Sequence, residues 1–305
     1  MSSTPFFRKP QVVHRGDRVA VIAPAGPFDR ESFDAGLALL EQRYRVHYDP
    51  HLFDRHRYLA GDDSRRLEEL RSALSDPGIK AVFCARGGYG TLRLLGGLAP
   101  PARGAGLKPV VGFSDITGLH QWLQVQGVVS IHGPVVTQLG RQPDSTRERL
   151  FNLLESLSPA PPLSGTDTYV GGTAEGPLLG GNLAVFTRLL GTPFLPSLKG
   201  AILLLEDIGE RPYQLDRMWT HLTLAGAFRE VSGIALGSFA RCEEKDANYT
   251  SIDVLRDLAA ETGLPCAAGF SIGHSDINEP VPLGVRVRLD ADSHRLEFLE
   301  PAVAS

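Results

Sequence analysis

Short apolar runs alternate with amphipathic stretches through the first half of the chain. "DRVAVIAPA" is continuously apolar and ends in proline and glycine, the pattern of a strand buried on both faces. "DRESFDAGLALLEQR" follows with apolar residues at helical spacing and Asp29 at the N-cap position. The pattern then predicts strand "YRVHYD", helix "DSRRLEELRSALSD", strand "IKAVFCA", a glycine turn leading into a helix in "RGGYGTLRLLGGL", strand "KPVVGF", helix "SDITGLHQWLQVQ" and strand "VVSIHGPVV". Repeated β–α units of this length predict right-handed crossovers and an α/β fold with a doubly wound, mostly parallel sheet.

The texture changes near Arg141. A polar helix, "DSTRERLFNLLESL", runs into "SPAPPLSGTDTYVGGTAEGP", dense in Pro, Gly, Ser and Thr. We read 1–140 as one α/β domain, 141–177 as a linker, partly placed over a cleft, and 178–305 as a second domain. That second domain mixes strands such as "GAILLLEDIG" and "VSGIALGSF" with helices "PYQLDRMWTHLTLAG" and "YTSIDVLRDLAAETG". It closes on a hairpin around "ADSH".

Composition narrows the class. The chain has 305 residues, 42% hydrophobic and 22% charged, enough for a full core, and a formal net charge of -4. That charge argues against a nucleic-acid binder, and the Arg clusters are interleaved with acids as solvated helix faces are. The three cysteines, Cys84, Cys242 and Cys266, form no CxxC pair, which is the usage of a reducing compartment. No apolar run approaches the roughly 18 residues that span a bilayer, and the N-terminus lacks a signal pattern. We expect a soluble, cytoplasmic protein with no nucleic-acid or membrane partner.

In a parallel α/β sheet, chemistry collects where strands end. "CARGGYGT" lacks the third glycine of a dinucleotide fingerprint, because Gly88-Tyr89-Gly90 is followed by Thr91, Leu92 and Arg93. Its backbone N–H groups suit an oxyanion hole or a substrate-holding loop, with a plain tight turn as the structural alternative. "GFSDITG" places Gly112 two residues before Ser114, as a nucleophile elbow requires, but Ile116 stands where a second glycine would complete the hydrolase signature. Ser114 reads equally well as a helix cap or as a nucleophile. A serine nucleophile needs a base. His120, on the following helix, reads as a packing or surface residue, which leaves His132 in "SIHGP" and His274 in "GHSD", with the loop position favouring His274. Glu206, ending an apolar strand beside Asp207, is a candidate orienting acid. Cys84, at a strand end, is a rival nucleophile for an amidotransferase-like amidase, although Val82 rather than glycine precedes it by two. No HExxH, His/Cys cluster or DxDxDG loop supports a metal, and no cofactor is expected.

The ordered set "VAVIAPAGP", "ARGGYGTLRLL", "VVGFSDITGLH", "SIHGP", "GGNLAVFTRLLGTPFLP", "LLLEDIGERPYQLDRM" and "GHSDINEPVPLG" resembles the LD-carboxypeptidase family of serine peptidases. The resemblance implies a class I amidotransferase-like N-terminal domain bearing Ser114 and a β-rich α/β C-terminal domain carrying Glu206 and His274 as the other members of a triad. It implies an oxyanion hole from the N–H groups of Gly88 and Asp115. Arg86, Gly87 and Tyr89 are the accompanying candidates for substrate binding. The implied activity is release of terminal D-alanine from a murein tetrapeptide during peptidoglycan recycling, by a homodimer. A second branch of the family, the microcin-immunity peptidases, cuts a peptidyl-nucleotide using an aromatic loop; here "SPAPPLSGTDTYVGGTAEGP" is short and has only Tyr169 and no Trp, which favours the murein branch.

Overall fold

A computed structural model of the chain describes residues 7–100 and 106–305. The first half runs β1 (Arg18–Ile22), α1 (Arg30–Glu41), β2 (Arg45–His47), α2 (Asp63–Ser75), β3 (Val82–Cys84), β4 (Val110–Gly112), α3 (Thr117–Val125) and β5 (Ser130–His132). Next come α4 (Val136–Leu139), α5 (Asp144–Glu155), β6 (Leu163–Ser164), β7 (Asp167–Val170), β8 (Thr173–Asn182) and α6 (Leu183–Thr187). The chain closes with β9 (Ile202–Ile208), α7 (Pro212–Leu224), β10 (Gly233–Ala240), α8 (Ser251–Thr262), β11 (Cys266–Ala268), β12 (Val281–Leu283), β13 (Arg286–Asp290) and β14 (Arg295–Phe298).

Local chemistry explains the elements. Asp29 caps α1 by accepting from Ser32 N–H at 2.8 Å, and Phe33, Gly36, Leu37 and Leu40 form the buried stripe of that helix. Two expectations differ. The stretch after "RGGYG" forms two 3-10 turns, Thr91–Arg93 and Leu95–Gly97, rather than a helix. Gly90 at φ 132° and the Gly96-Gly97 pair make a continuous helix expensive there. The strand at "VVSIHGPVV" stops at His132, where Gly133 and Pro134 end the ladder.

Among the described residues the strands form two sheets. The first has the order β12-β5-β4-β3-β1-β2, parallel from β5 to β2, with β12 antiparallel through Val281 opposite His132. Its winding reverses between β1 and β3, so a crevice opens at the carboxyl ends of those strands. The loops there are tied by Gly26 N–H donating to Gly87 O at 2.9 Å. A Cβ on Gly26 would stand 3.1 Å from that same carbonyl oxygen.

The second sheet has the order β6-β14-β13-β8-β9-β10-β11-β7. Strands β8 to β11 are parallel and the outer ones antiparallel. β6 and β7 are neighbours in sequence yet pair at opposite edges, so the sheet curls until its edges meet. Gly165 N–H donates to His294 O at 2.7 Å and Thr166 N–H to Ala268 O at 2.9 Å, joining the two edges directly. Much of 141–177 therefore serves as α5 and as the clasp of this sheet.

Helix α3 joins the two layers and is buried from Thr117 to Gln124. Gln121 Nε2 donates to Gly180 O at 2.8 Å, and Asn182 N–H donates to Thr117 Oγ1 at 3.0 Å. This contact explains "GGN": a Cβ on Gly180 would meet Leu204 O at 2.1 Å and one on Gly181 would meet Thr117 Oγ1 at 2.6 Å. Gly181 also sits at φ 136°. Gly181→Ala adds strained backbone to a collision, an expected loss of about 2–4 kcal/mol. Calorimetry should show the melting temperature falling by roughly 5–10 °C; an unchanged transition would contradict this account of the layer contact.

Candidate active site

Ser114 follows β4 at a corner. Phe113 is extended at φ -155°, and Ser114 lies in the left-handed region at φ 63°, a strained position for a non-glycine residue. Gly112 is required because a Cβ there would lie 2.9–3.1 Å from the Ile116 side chain. Gly87 approaches from the other side, where a Cβ would lie 2.9 Å from Ser114 Cβ and 3.2 Å from its hydroxyl. The Ser114 side chain makes no capping hydrogen bond to the turn or to α3, so it is not the cap that the sequence also allowed.

The residue after it locks the glycine loop. The buried Asp115 carboxylate accepts from the Thr91 N–H at 2.8 Å and the Thr91 hydroxyl at 2.6 Å. Burial pushes the Asp115 carboxyl up, against the pull of those two donors. Below the loop the buried Arg66 guanidinium holds Pro24 O and Asp63, and a Cβ on Gly90 would strike it at 2.5 Å. The N–H groups of Gly88 and Asp115 have no hydrogen-bond partner among the described residues, and Gly88 adopts φ 105°. Arg86 is exposed; it donates to Pro27 O and pairs with no carboxylate among the described residues. Tyr89 is exposed and meets Tyr58 edge-on at 5.6 Å.

An acid and an imidazole face this corner from the second sheet. β9 places Glu206 and Asp207 on opposite faces, both buried. Asp207 accepts from Ala184 N–H (2.8 Å), Ile208 N–H (2.8 Å) and Asn182 Nδ2 (3.0 Å), and so serves the start of α6. Glu206 Oε2 lies 2.6 Å from His274 Nδ1. Burial alone would raise the Glu206 carboxyl, but His274 and, less strongly, His132 bring it down to about 2. Gly273 makes room for the pair: a Cβ there would lie 2.3 Å from Glu206 Oε2, and its φ is 109°.

The His274 loop is held by buried amides. Gly273 N–H donates to Asn278 Oδ1 at 2.8 Å, Asn278 N–H to Gln142 Oε1 at 2.9 Å, and Gln142 Nε2 to Asp276 O at 3.1 Å. The His274 ring lies 4.7 Å from the ring of Phe113, which precedes Ser114. Among the described residues no hydrogen bond joins His274 to Ser114, and Nε2 has no partner.

Sequence reasoning undervalued two histidines. His120 is fully buried, not a surface residue, with Nε2 2.8 Å from Gly112 O and Nδ1 2.9 Å from Ser130 Oγ. Burial lowers its pKa to about 3, so the neutral ring donates to Gly112 O and accepts from Ser130. His132, the other candidate base, is buried behind the acid, with Nε2 3.8 Å from Glu206 Oε1. The signal was available in part, since Ser130 and His132 alternate onto one face of β5. Cys84 is fully buried, and burial pushes its thiol far up, so it offers no accessible thiolate.

A serine on a strained strand-to-helix corner, N–H groups left free among the described residues beside it and a Glu–His pair opposite supply the groups that acyl transfer needs. Comparison with known proteins supports a peptidase. The chain belongs to the LD-carboxypeptidase family, matching its N-terminal domain over residues 19–133 and its C-terminal domain over 175–289. It is 37% identical to the murein tetrapeptide carboxypeptidase of Pseudomonas aeruginosa, over 91% of this chain and 94% of that protein. It is also 37% identical to a Bacillus subtilis protein named as a probable murein peptide carboxypeptidase, over 92% and 91%. Among solved structures it resembles the muramoyltetrapeptide carboxypeptidase of Oxalobacter formigenes, with TM-score 0.82, 29% identity and coverage of 92% and 97%. The microcin C7 self immunity protein MccF in complex with aspartyl sulfamoyl adenosine has the same fold, with TM-score 0.88, 21% identity and coverage of 97% and 100%.

The Glu206 carboxyl has a folded value below its ordinary 4.5. Its contribution to stability is therefore complete above pH of about 4.5 and is lost as pH falls towards about 2. In urea unfolding, wild type should exceed Glu206→Gln by most at neutral pH, with the gap closing over that acid range. A gap independent of pH would contradict the assignment.

Proposed function

We propose that the protein is a serine LD-carboxypeptidase that releases terminal D-alanine from murein tetrapeptide. The observation that carries this reading is the 2.6 Å Glu206–His274 pair placed against the left-handed Ser114 corner. His274 donates Nδ1–H to Glu206, which leaves Nε2 as the base. Nε2 takes the proton from Ser114 Oγ as that oxygen attacks the carbonyl carbon of the L,D-peptide bond. The developing oxyanion accepts from the N–H groups of Gly88 and Asp115, each worth about 3–4 kcal/mol in sites of this kind. His274 then gives its proton to the departing amine of D-alanine, leaving an ester on Ser114. Water attacks that ester with His274 again as base, and the acid product leaves.

A carboxypeptidase must read a terminal carboxylate. The exposed Arg86 guanidinium, free of carboxylate partners beside the glycine loop, suits that role, with Gly87 and Tyr89 lining the approach. The murein substrate is favoured over a peptidyl-nucleotide by the 37% identity to a murein enzyme. It is favoured also by the placing of the aromatics. Trp122 and Trp219 are buried in helices, and Tyr169 is half-buried with the Arg256 guanidinium 5.1 Å from its ring. None of these three is exposed; the exposed rings beside the glycine loop are Tyr58 and Tyr89, which meet each other edge-on. Cysteines that are all unpaired and buried fit the reducing cytoplasm in which murein peptides are recycled.

Purified protein given murein tetrapeptide should release D-alanine, and Ser114→Ala should lower kcat about 10⁴-fold or more. EDTA and iodoacetamide should leave the wild-type rate unchanged, the latter because Cys84 is enclosed. D-alanine release that survives the substitution would overturn the mechanism. Preferential cleavage of an aminoacyl sulfamoyl adenosine would move the protein to the other substrate class.

A further inference from the structure

One buried cluster is not used by the mechanism above. Both ring nitrogens of His132 and the second carboxylate oxygen of Glu206 are enclosed and without hydrogen-bond partners. The two residues are fully buried, and Nε2 stands 3.8 Å from Oε1. That separation is roughly 0.6 Å beyond the outer limit of an N–H···O bond. A buried carboxylate oxygen with no donor is strongly disfavoured, and among the described residues His132 is the one basic side chain within 4 Å of Oε1.

We infer that His132 is a positioning residue, donating from Nε2 to Glu206 Oε1 so that two imidazoles share one buried carboxylate; this rests on the serine-triad reading above. With Oε2 on His274 and Oε1 on His132, the carboxylate cannot turn about its terminal bond. Oε2 stays aligned with His274 Nδ1–H, and the second donor keeps the negative charge on Glu206, so the proton stays on His274. The placement is rigid on the His132 side. β5 pairs with the elbow strand through Gly112 opposite His132 and with β12 through Val281 opposite the same residue. The Phe113 ring, next to Ser114 in the chain, lies 5.9 Å from that of His132 and 4.7 Å from that of His274 and so packs against both imidazoles. His132 thus reads the position of the elbow and holds the acid to match it.

The test uses substitutions that separate a donor from a packing role. Glutamine places an N–H near the position of Nε2, asparagine reaches only that of Nδ1, and leucine fills the volume with no donor. His132→Leu and His132→Asn should lower kcat for D-alanine release about 10–100-fold with KM within twofold, the scale found for groups that orient a first ligand. His132→Gln should recover most of the rate. In a Glu206→Ala background, His132→Leu should change kcat less than twofold, because the acceptor is already gone. Without substrate, the low-field proton resonance of His274 Nδ1–H should shift or broaden in His132→Leu and persist in His132→Gln. Leucine variants with wild-type kcat, glutamine no better than leucine, or an effect that adds fully to Glu206→Ala would each overturn the proposal. If wild type releases no D-alanine, the triad reading fails on its own, and the proton resonance still decides the role of His132.

Discussion

A carboxylate removed from water must be compensated, and the fully buried Glu206 imposes that demand at the centre of this molecule. Its compensation comes from two places that the chain makes far apart, the end of β5 at His132 and the loop before β12 that carries His274. The same demand shapes the surrounding backbone. Gly273 has no side chain because Oε2 occupies the space, and Gly237 leaves room below, where a Cβ would lie 3.1 Å from Glu206 Cβ. The domain contact through α3, with Thr117 against Gly181, fixes the distance between the corner that carries Ser114 and the strand that carries Glu206. An acid that needs partners from both halves is thereby also a gauge of their relative position.

Much of the first sheet was legible, because continuous apolar strands, caps such as Asp29 and glycine-punctuated junctions are local signals. The corner was half legible. Gly112 marks it, while the left-handed Ser114 and the close approach of Gly87 depend on contacts that periodicity does not encode. The failed helix after "RGGYG" has a tertiary cause besides its local glycines: Thr91 is committed to Asp115, and Arg66 fills the space beneath Gly90. The burial of His132 and His120 and their contacts with Glu206, Gly112 and Ser130 were not legible, since these depend on partner distance and not on residue type. The clasp in 163–170 was the least legible element. Strands this short acquire meaning only from the edges they join.

That clasp bears on how the second sheet avoids open edges. Unpaired strand edges invite pairing with other chains, and short covering strands are one of the ways proteins blunt them. Here consecutive residues cover both, and Gly269 leaves the space for it, since a Cβ there would meet Thr166 Oγ1 at 1.9 Å. Pro- and Gly-rich texture, which reads as a flexible connection, is in this case the chemistry of a tight corner between two edges.

The antiparallel strand β12 has a consequence for vectorial synthesis. Five of the six strands of the first sheet are complete once His132 has been made, yet the sixth arrives only with Val281–Leu283. Until then the emerging chain carries β5 as an exposed edge, next to the strand that ends in the elbow. The half that holds Ser114 is therefore finished by the same late segment that delivers His274, so the proposed nucleophile and its proposed base are completed together rather than one waiting, assembled, for the other.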